Sequence, residues 1–341
     1  MAIDVVDRAV NLYPERTIYV YHEIVHNRHV VGRFKGRGVV FVEDLSDVPE
    51  GEVVVFSAHG IPPSIREQAR ARGLITVDAT CPLVTKVHSE AVRYANKGYQ
   101  ILLIGHEDHQ EVIGTKGEAP DATLVVESPA HAETIEVKDQ SKLVYLTQTT
   151  LSTDDAGAII RVLKRRFPEI HEPIEPDICY ATTNRQHAVR QIAPEVDVVL
   201  VVGSKNSSNS VRLTEIAQNV GTESFLLDDA SELRDEWFSK GSETSVMITA
   251  GASAPEDLVA TICRTLIEKH GGTIEQWDIV DESIEFALPV ALRRLMKEEG
   301  IEVGSGMVTV DSGVASGETY GAVPLTVSAR SSPPDLKDVA P

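Results

Sequence analysis

Short runs rich in Val, Ile and Leu alternate with helical patterns along most of the chain, and this alternation narrows the fold more than any other feature. The runs Thr17–Tyr21, Val39–Val42, Val53–Ser57, Leu74–Val77, Ile101–Ile104, Thr123–Val126, Leu143–Leu146, Val196–Val202, Phe225–Leu227 and Val246–Thr249 have strand length and β-branched content, and most are bounded by Gly, Pro or Asp. Between them the periodicity predicts helices around Pro62–Arg72, Leu83–Asn96, Thr153–Arg166, Asn184–Ile192, Ser210–Val220 and Pro255–Lys269. Strands that are apolar throughout are covered on both faces, so the pattern predicts an α/β protein with mostly parallel sheets.

The two ends depart from this pattern. Ile3, Val6, Val10 and Tyr13 recur at helical spacing, so residues 1–13 read as an amphipathic helix. No strand leads into it, as a βαβ chain would normally provide, and the first strand is therefore expected to be missing. After Val280, and above all after Gly300, Gly, Ser, Val and Pro mix without period, so 284–341, with Ser331-Ser332-Pro333-Pro334, is expected to be a largely disordered extension.

A chain of 341 residues with 42% hydrophobic and 25% charged residues can build ordinary globular cores in two or three domains. Its net charge of −20 argues against non-specific nucleic-acid binding, which needs Lys and Arg to neutralise phosphates. No apolar run approaches the roughly 18 residues of a membrane span, and Met1 opens no leader peptide, so neither nucleic acid nor membrane is an expected partner and the cytoplasm is the expected compartment. Cys81, Cys179 and Cys263 are too few and too far apart for a disulfide framework.

Cys81 and Cys179 each close a strand-like run where a helical pattern begins, and Pro82 suits the first position of a helix. A thiol there faces the positive helix end, which lowers its pKa and favours a thiolate. One such cysteine is more often a small buried hydrophobe; two in matching settings point to ligation. Cys263 lies within a helical run and reads as core, and no C-x-x-C pair supports a zinc ribbon or ferredoxin-type site.

His26, His59 and His109 lie at or near strand ends, where parallel α/β proteins place ligands, beside Asn27, Gly60 and Glu111. Each alone would more often be a surface or structural histidine, and Glu111 alone a solvated charge; together they point to anion binding with a carboxyl able to carry a proton. Gly203–Ser210 and Thr249–Pro255 each link a strand to a helix through a polar loop, which is phosphate-binding geometry. Neither is a Walker loop or a dinucleotide fingerprint, and both would also serve as plain helix caps.

These strings carry a family resemblance. His22-Glu23-Ile24-Val25-His26-Asn27, Phe56-Ser57-Ala58-His59-Gly60, the segment from Asp78 through Cys81 to His88, Leu146–Ser152, Asp177–Gln186, Val202–Ser210 and Thr249–Pro255 occur in order as they do in 4-hydroxy-3-methylbut-2-enyl diphosphate reductase, an iron–sulfur enzyme of the methylerythritol phosphate route to isoprenoids. The resemblance runs from near residue 1 to about residue 280. It implies three α/β lobes in pseudo-threefold arrangement around a central cluster, here 1–81, 82–178 and 179–283. The family holds a [4Fe–4S] cluster with one cysteine per lobe; Cys81 and Cys179 match two. The third normally lies in a Gly-Phe-Cys-Ala-Gly turn before the first helix and is absent from this chain. Gln110, where the family usually has proline, and the long tail are smaller departures.

The resemblance further implies that Glu111 is the proton source, with Thr149 near the substrate hydroxyl. His26, His59, Ser207, Asn209 and Ser253 would hold the diphosphate, assisted by His109 and Ser208. Electrons would come from ferredoxin, flavodoxin or an NADPH-linked system. For the chain as it stands, impaired catalysis is expected, and an in-frame segment upstream of Met1 would carry the missing cysteine. Two alternatives compete: a truncated paralogue that binds diphosphates without redox chemistry, and a zinc hydrolase with Cys and His ligands.

Overall fold

Burial on both faces of the strands decides the architecture. The computed structural model describes residues 1–277, 279, 284–301, 307–309 and 327–330. After helix α1 (Ala2–Leu12) come β1 (Ile18–Tyr21), α2 (Arg28–Gly36), β2 (Val40–Val42), β3 (Val53–Phe56), α3 (Pro63–Ala71) and β4 (Ile75–Asp78), with the strands in one parallel sheet ordered β2-β1-β3-β4. Next are α4 (Pro82–Asn96), β5 (Gln100–Ile104), α5 (Gln110–Glu118), β6 (Thr123–Val126), α6 (Pro129–Thr134), β7 (Leu143–Thr147) and α7 (Thr153–Arg166), whose parallel sheet is ordered β6-β5-β7. Then α8 (Tyr180–Ile192), β8 (Val198–Val202), α9 (Ser208–Asn219), β9 (Glu223–Leu227), β10 (Val246–Ala250) and α10 (Glu256–His270) build a third, ordered β10-β8-β9. Last are β11 (Ile274–Trp277), β12 (Glu285–Ala287), α11 (Val290–Glu298), β13 (Met307–Thr309) and β14 (Val327–Arg330), in which β11 pairs with β14 and β12 with β13.

The chain is thus an α/β protein with several short parallel sheets. Successive residues of a strand point to opposite faces, and both faces are apolar here. Val53 and Val55 enter the core under α1, while Val54 and Phe56 enter one with Leu45, Ile61 and Ala69. Leu102 and Ile104 pack with Ile159 and Leu163 of α7, and Ile101 and Leu103 with Val87 and Ala91 of α4.

The described residues fall into two compact units, one from Met1–Thr182 with Glu285–Val308 and the other from Thr183–Ile284 with Thr309–Pro341. Helix α1 forms where its spacing predicts, but its buried residues are Ala2, Val5, Val6, Ala9 and Leu12, with Ile3, Val10 and Tyr13 only partly covered. The expectation of a disordered extension from 284 is corrected at its start, because Leu288, Leu292 and Met296 around α11 are buried in the α1 core. Most of the rest of that extension, including Ser331–Pro334, lies outside the described residues. Among the described residues no helix is long and apolar enough to cross a membrane.

Several helix starts, those of α2, α5, α6, α7 and α9, carry side-chain caps. The Ser152 hydroxyl accepts the Asp155 N–H at 3.2 Å and opens α7, whose inner face covers the second sheet. Ser152→Ala is expected to lower unfolding stability by about 1 kcal/mol. Urea unfolding checks this, and an unchanged midpoint would show that the cap contributes nothing.

Candidate functional site

In the first unit, loops leave the C-terminal ends of β1, β3 and β4 and stay tied to one another beyond the sheet. Ala58 N–H donates to Ile24 C=O at 3.2 Å, and Cys81 N–H donates to Ala58 C=O at 3.0 Å, so the parallel order of the strands passes into the loops carrying His26, His59 and Cys81. The β1 loop begins at His22, a non-glycine residue with φ of 59°, whose Nδ1 meets Glu43 at 2.6 Å. It ends at Asn27, whose buried side chain caps α2 by accepting from His29 and Val30. Gly60, with φ of 81°, turns the β3 loop immediately after His59.

These turns bring His26, His59 and His109 together. The rings of His26 and His59 stack with centroids 4.1 Å apart, and His109 sets its edge against both at 5.7 and 5.8 Å. His109 also caps α5, its Nδ1 accepting the Glu111 N–H at 3.2 Å, which leaves the neutral ring's proton on Nε2. Burial, and then the charges of His26 and His106, bring the His109 pKa down to about 4. Burial and the other imidazoles hold His59 well below the ordinary histidine range. His59 and His109 are thus poised to be neutral when the site is empty and to gain protons beside an anion.

Glu111 is 2% exposed and paired with Thr149. Its carboxylate accepts the Thr149 N–H at 2.5 Å and the Thr149 hydroxyl at 3.0 Å, while the Thr149 C=O accepts the Cys179 N–H at 2.9 Å. Burial pushes Glu111 up to about 7, against the pull of the Thr149 N–H and hydroxyl, with the Asp177 charge adding to the rise. A carboxyl half-protonated near neutrality can hold and deliver a proton.

Both thiols of interest sit at helix starts. Cys81 is the N-cap of α4, and Cys179 precedes α8, its sulfur meeting the Thr182 N–H at 3.3 Å and hydroxyl at 3.0 Å. The expectation of a lowered thiol pKa is corrected for Cys81. The Leu83 and Val84 N–H groups do pull it down, but burial is larger and leaves it raised, with the charge of the nearby Cys179 adding to the rise. Cys263 in α10 is half-buried.

Two groups that the sequence did not mark lock the thiol segments. Buried Asp177 accepts the Thr147 N–H at 2.9 Å and pairs with Lys86 Nζ of α4 at 3.1 Å, and Lys86 also donates to the Glu175 and Pro176 carbonyls. Their separation of 91 positions hides the pair from local patterns; its one sequence signal is an acid two residues before a helix-opening cysteine.

The second unit presents its polar groups at the ends of β8 and β10. Ser207 caps α9 by accepting the Ser210 N–H at 3.4 Å, and Ser210 Oγ donates to Ser207 Oγ at 3.0 Å. A Cβ at Gly203 or Gly251 would fall within 2.2 Å or 2.0 Å of Ser210 Oγ, so both glycines are needed for the two loops to close on that hydroxyl. Asn209 is 4% exposed, and neither its side-chain nitrogen nor its oxygen has a partner among the described residues. Ser208 opens α9 and Ser253 precedes α10; both are partly exposed.

The profile of the LytB protein family matches residues 1–267. The 4-hydroxy-3-methylbut-2-enyl diphosphate reductase of Acidothermus cellulolyticus is 51% identical over 300 residues, spanning 88% of this chain and 87% of that protein. The enzyme of the same name from Rhodopirellula baltica is 50% identical over 299 residues, spanning 88% and 93%. Among solved structures, the E-1-hydroxy-2-methyl-but-2-enyl-4-diphosphate reductase of Plasmodium falciparum superposes with a TM-score of 0.82 at 38% identity, covering 88% of this chain and 94% of that one. The chain belongs to the LytB protein family.

Proposed function

We propose that this protein is the reductase that removes the allylic hydroxyl of 4-hydroxy-3-methylbut-2-enyl diphosphate, consuming two electrons and two protons and releasing water with isopentenyl or dimethylallyl diphosphate. The observation that carries the reading is the buried Glu111–Thr149 pair, two residues from a histidine that belongs to a cluster of three imidazoles. Hydroxide is a poor leaving group, and a carboxyl with its pKa near 7 supplies the proton that turns it into water. The Thr149 N–H and hydroxyl hold that carboxyl in place. His59 and His109 offer ring N–H donors to the diphosphate, with His26 stacked behind His59. Ser207, Ser208, Asn209 and Ser253 are assigned to the same task, on the strength of their loop geometry and the unpartnered Asn209 amide.

Cys81 and Cys179 fit an iron–sulfur cluster as two of its ligands, because backbone N–H groups act on both sulfurs at their helix starts. Among the described residues no three His, Cys, Asp or Glu side chains form a metal-binding group. When bound, a [4Fe–4S] cluster would supply the electrons and a Lewis-acidic iron for the hydroxyl oxygen. We assign the external reductant to ferredoxin, flavodoxin or an NADPH-linked system, and the reaction to the cytoplasm. A diphosphate-binding relative without redox chemistry is not favoured, given identities near 50% to named reductases.

Protein expressed with any in-frame residues encoded upstream of Met1, reconstituted anaerobically and given a chemical reductant, is expected to convert the hydroxylated diphosphate to the two isomeric products. Cluster incorporation and substrate binding without product would overturn the assignment.

A further inference from the structure

His88 has no part in the chemistry just assigned, yet its ring packs against the backbone next to His59 and against the helix that carries Glu111. The residue is 5% exposed on the inner side of α4. A Cβ at Gly60 would lie 2.8 Å from its Cε1, and one at Gly114 would lie 3.2 Å from its Nε2 and 3.3 Å from the Gly60 carbonyl carbon. The ring edge therefore fits against two bare backbones. One directly follows His59; the other is three residues beyond Glu111, in α5.

The ring is oriented from its opposite side. Its Nδ1 meets Glu118 Oε1 at 3.1 Å, and the same oxygen accepts from Arg66 Nη1 of α3 at 2.7 Å. Burial lowers the His88 pKa against the pull of Glu118, which fits a neutral ring donating Nδ1–H to the carboxylate. Nε2 is then left buried without a partner among the described residues. An unpaired buried polar atom is unfavourable, and an apolar side chain of similar size would fill the space without it. What the imidazole adds is a fixed orientation.

We propose that His88 is a positioning residue: its ring, aimed by Glu118 and Arg66, sets the spacing between the His59–Gly60 loop and α5, and so aligns His59 with His109 and Glu111. The inference rests on the reading of those histidines as the diphosphate site. The Arg66–Glu118 end faces a surface cavity of about 360 Å3, so the link can be altered there without unpacking the core.

Titration calorimetry with inorganic pyrophosphate tests it, using the full chain. His88→Ala is expected to weaken binding at least about tenfold, since displacements of about 1 Å at a positioned group have effects of this size or larger. His88→Asn, which keeps a donor near the Nδ1 position, is expected to recover most of that loss. Leu163→Ala, on the buried face of α7, lowers the thermal midpoint through a cavity and is expected to leave the dissociation constant unchanged, so lost stability alone does not imitate the result. Wild-type affinity in folded His88→Ala would overturn the inference, as would equal weakness of the Ala and Asn variants. If His88→Ala does not fold, Arg66→Met carries the test from the surface, and unchanged binding there overturns the inference. Wild-type affinity in His59→Ala would remove the diphosphate reading itself, a result distinct from any of these.

Discussion

Glu111→Gln is expected to lower turnover by about 10²- to 10⁴-fold and, at pH 8, to make the protein more stable by about 3 kcal/mol. Both effects have one origin. The carboxyl is 2% exposed and its pKa stands near 7 instead of 4.5, chiefly because burial disfavours its charge. The folded protein therefore keeps this proton over a range in which the unfolded chain has lost it. Stability drawn from the group is present below pH 4.5, falls as the pH rises to about 7, and is gone above that. Glutamine keeps an oxygen for the Thr149 N–H and an amide that can donate to the Thr149 hydroxyl, but it has no proton to deliver and no charge to bury. The difference in unfolding free energy between variant and wild type should grow from near zero at pH 4.5 to its full value at pH 8. Because it is a difference, the slopes of groups that do not interact with Glu111 cancel, leaving its own contribution and its coupling to Asp177. Urea unfolding at several pH values reads it directly, and parallel profiles would show that the carboxyl is not held as described. A residue whose removal stabilises the fold while abolishing activity is retained for function.

Strands were the most legible part of the fold, since runs such as Val53–Phe56 and Leu143–Thr147 admit no other covered structure at that length. Helix α5 was not legible. Gly114 and Gly117 each weaken a helix by about 1 kcal/mol relative to alanine, and its residues show no apolar stripe. Tertiary contact explains the glycines: a Cβ at 117 would come within 2.3 Å of the Pro62 Cβ, and one at 114 would press on Gly60. The helix that carries Glu111 thus gives up local propensity for close approach to the loop that carries His59. In the site, the types and loop positions of His26, His59, His109 and Cys81 could be read because each follows or lies near a strand end. Their convergence could not, because it depends on β1 lying beside β3 and on α5 meeting the first sheet's loops. Nor could the Cys81 pKa: the helix-end argument is correct in sign, but burial is a property of the folded surroundings and outweighs it.

Binding of a diphosphate should draw protons into the imidazole cluster. Burial disfavours a charged ring, and three rings within 5.8 Å of one another add mutual repulsion, which is why the His109 pKa is brought down to about 4 and that of His59 well below 6.5. An anion carrying several negative charges reverses the balance, because each ring then gains an opposite charge within hydrogen-bonding reach. Calorimetry of pyrophosphate binding at pH 7 is expected to show uptake of about one proton, read from enthalpies in buffers of different ionisation heat. Affinity should fall about tenfold per pH unit wherever the bound cluster holds one proton more than the empty one, and His59 and His109 are neutral in the empty site throughout pH 6.5 to 8. His59→Ala removes the ring stacked on His26 and a donor at once; it should weaken binding by more than tenfold, as loss of a charge-assisted bond of about 1.5–3 kcal/mol implies. The variant should also flatten the pH dependence, because fewer rings remain to take up the proton. Identical binding enthalpies across buffers would show that the cluster stays neutral around its ligand, and the histidines would then act as neutral donors, leaving the charge of the diphosphate to be met elsewhere.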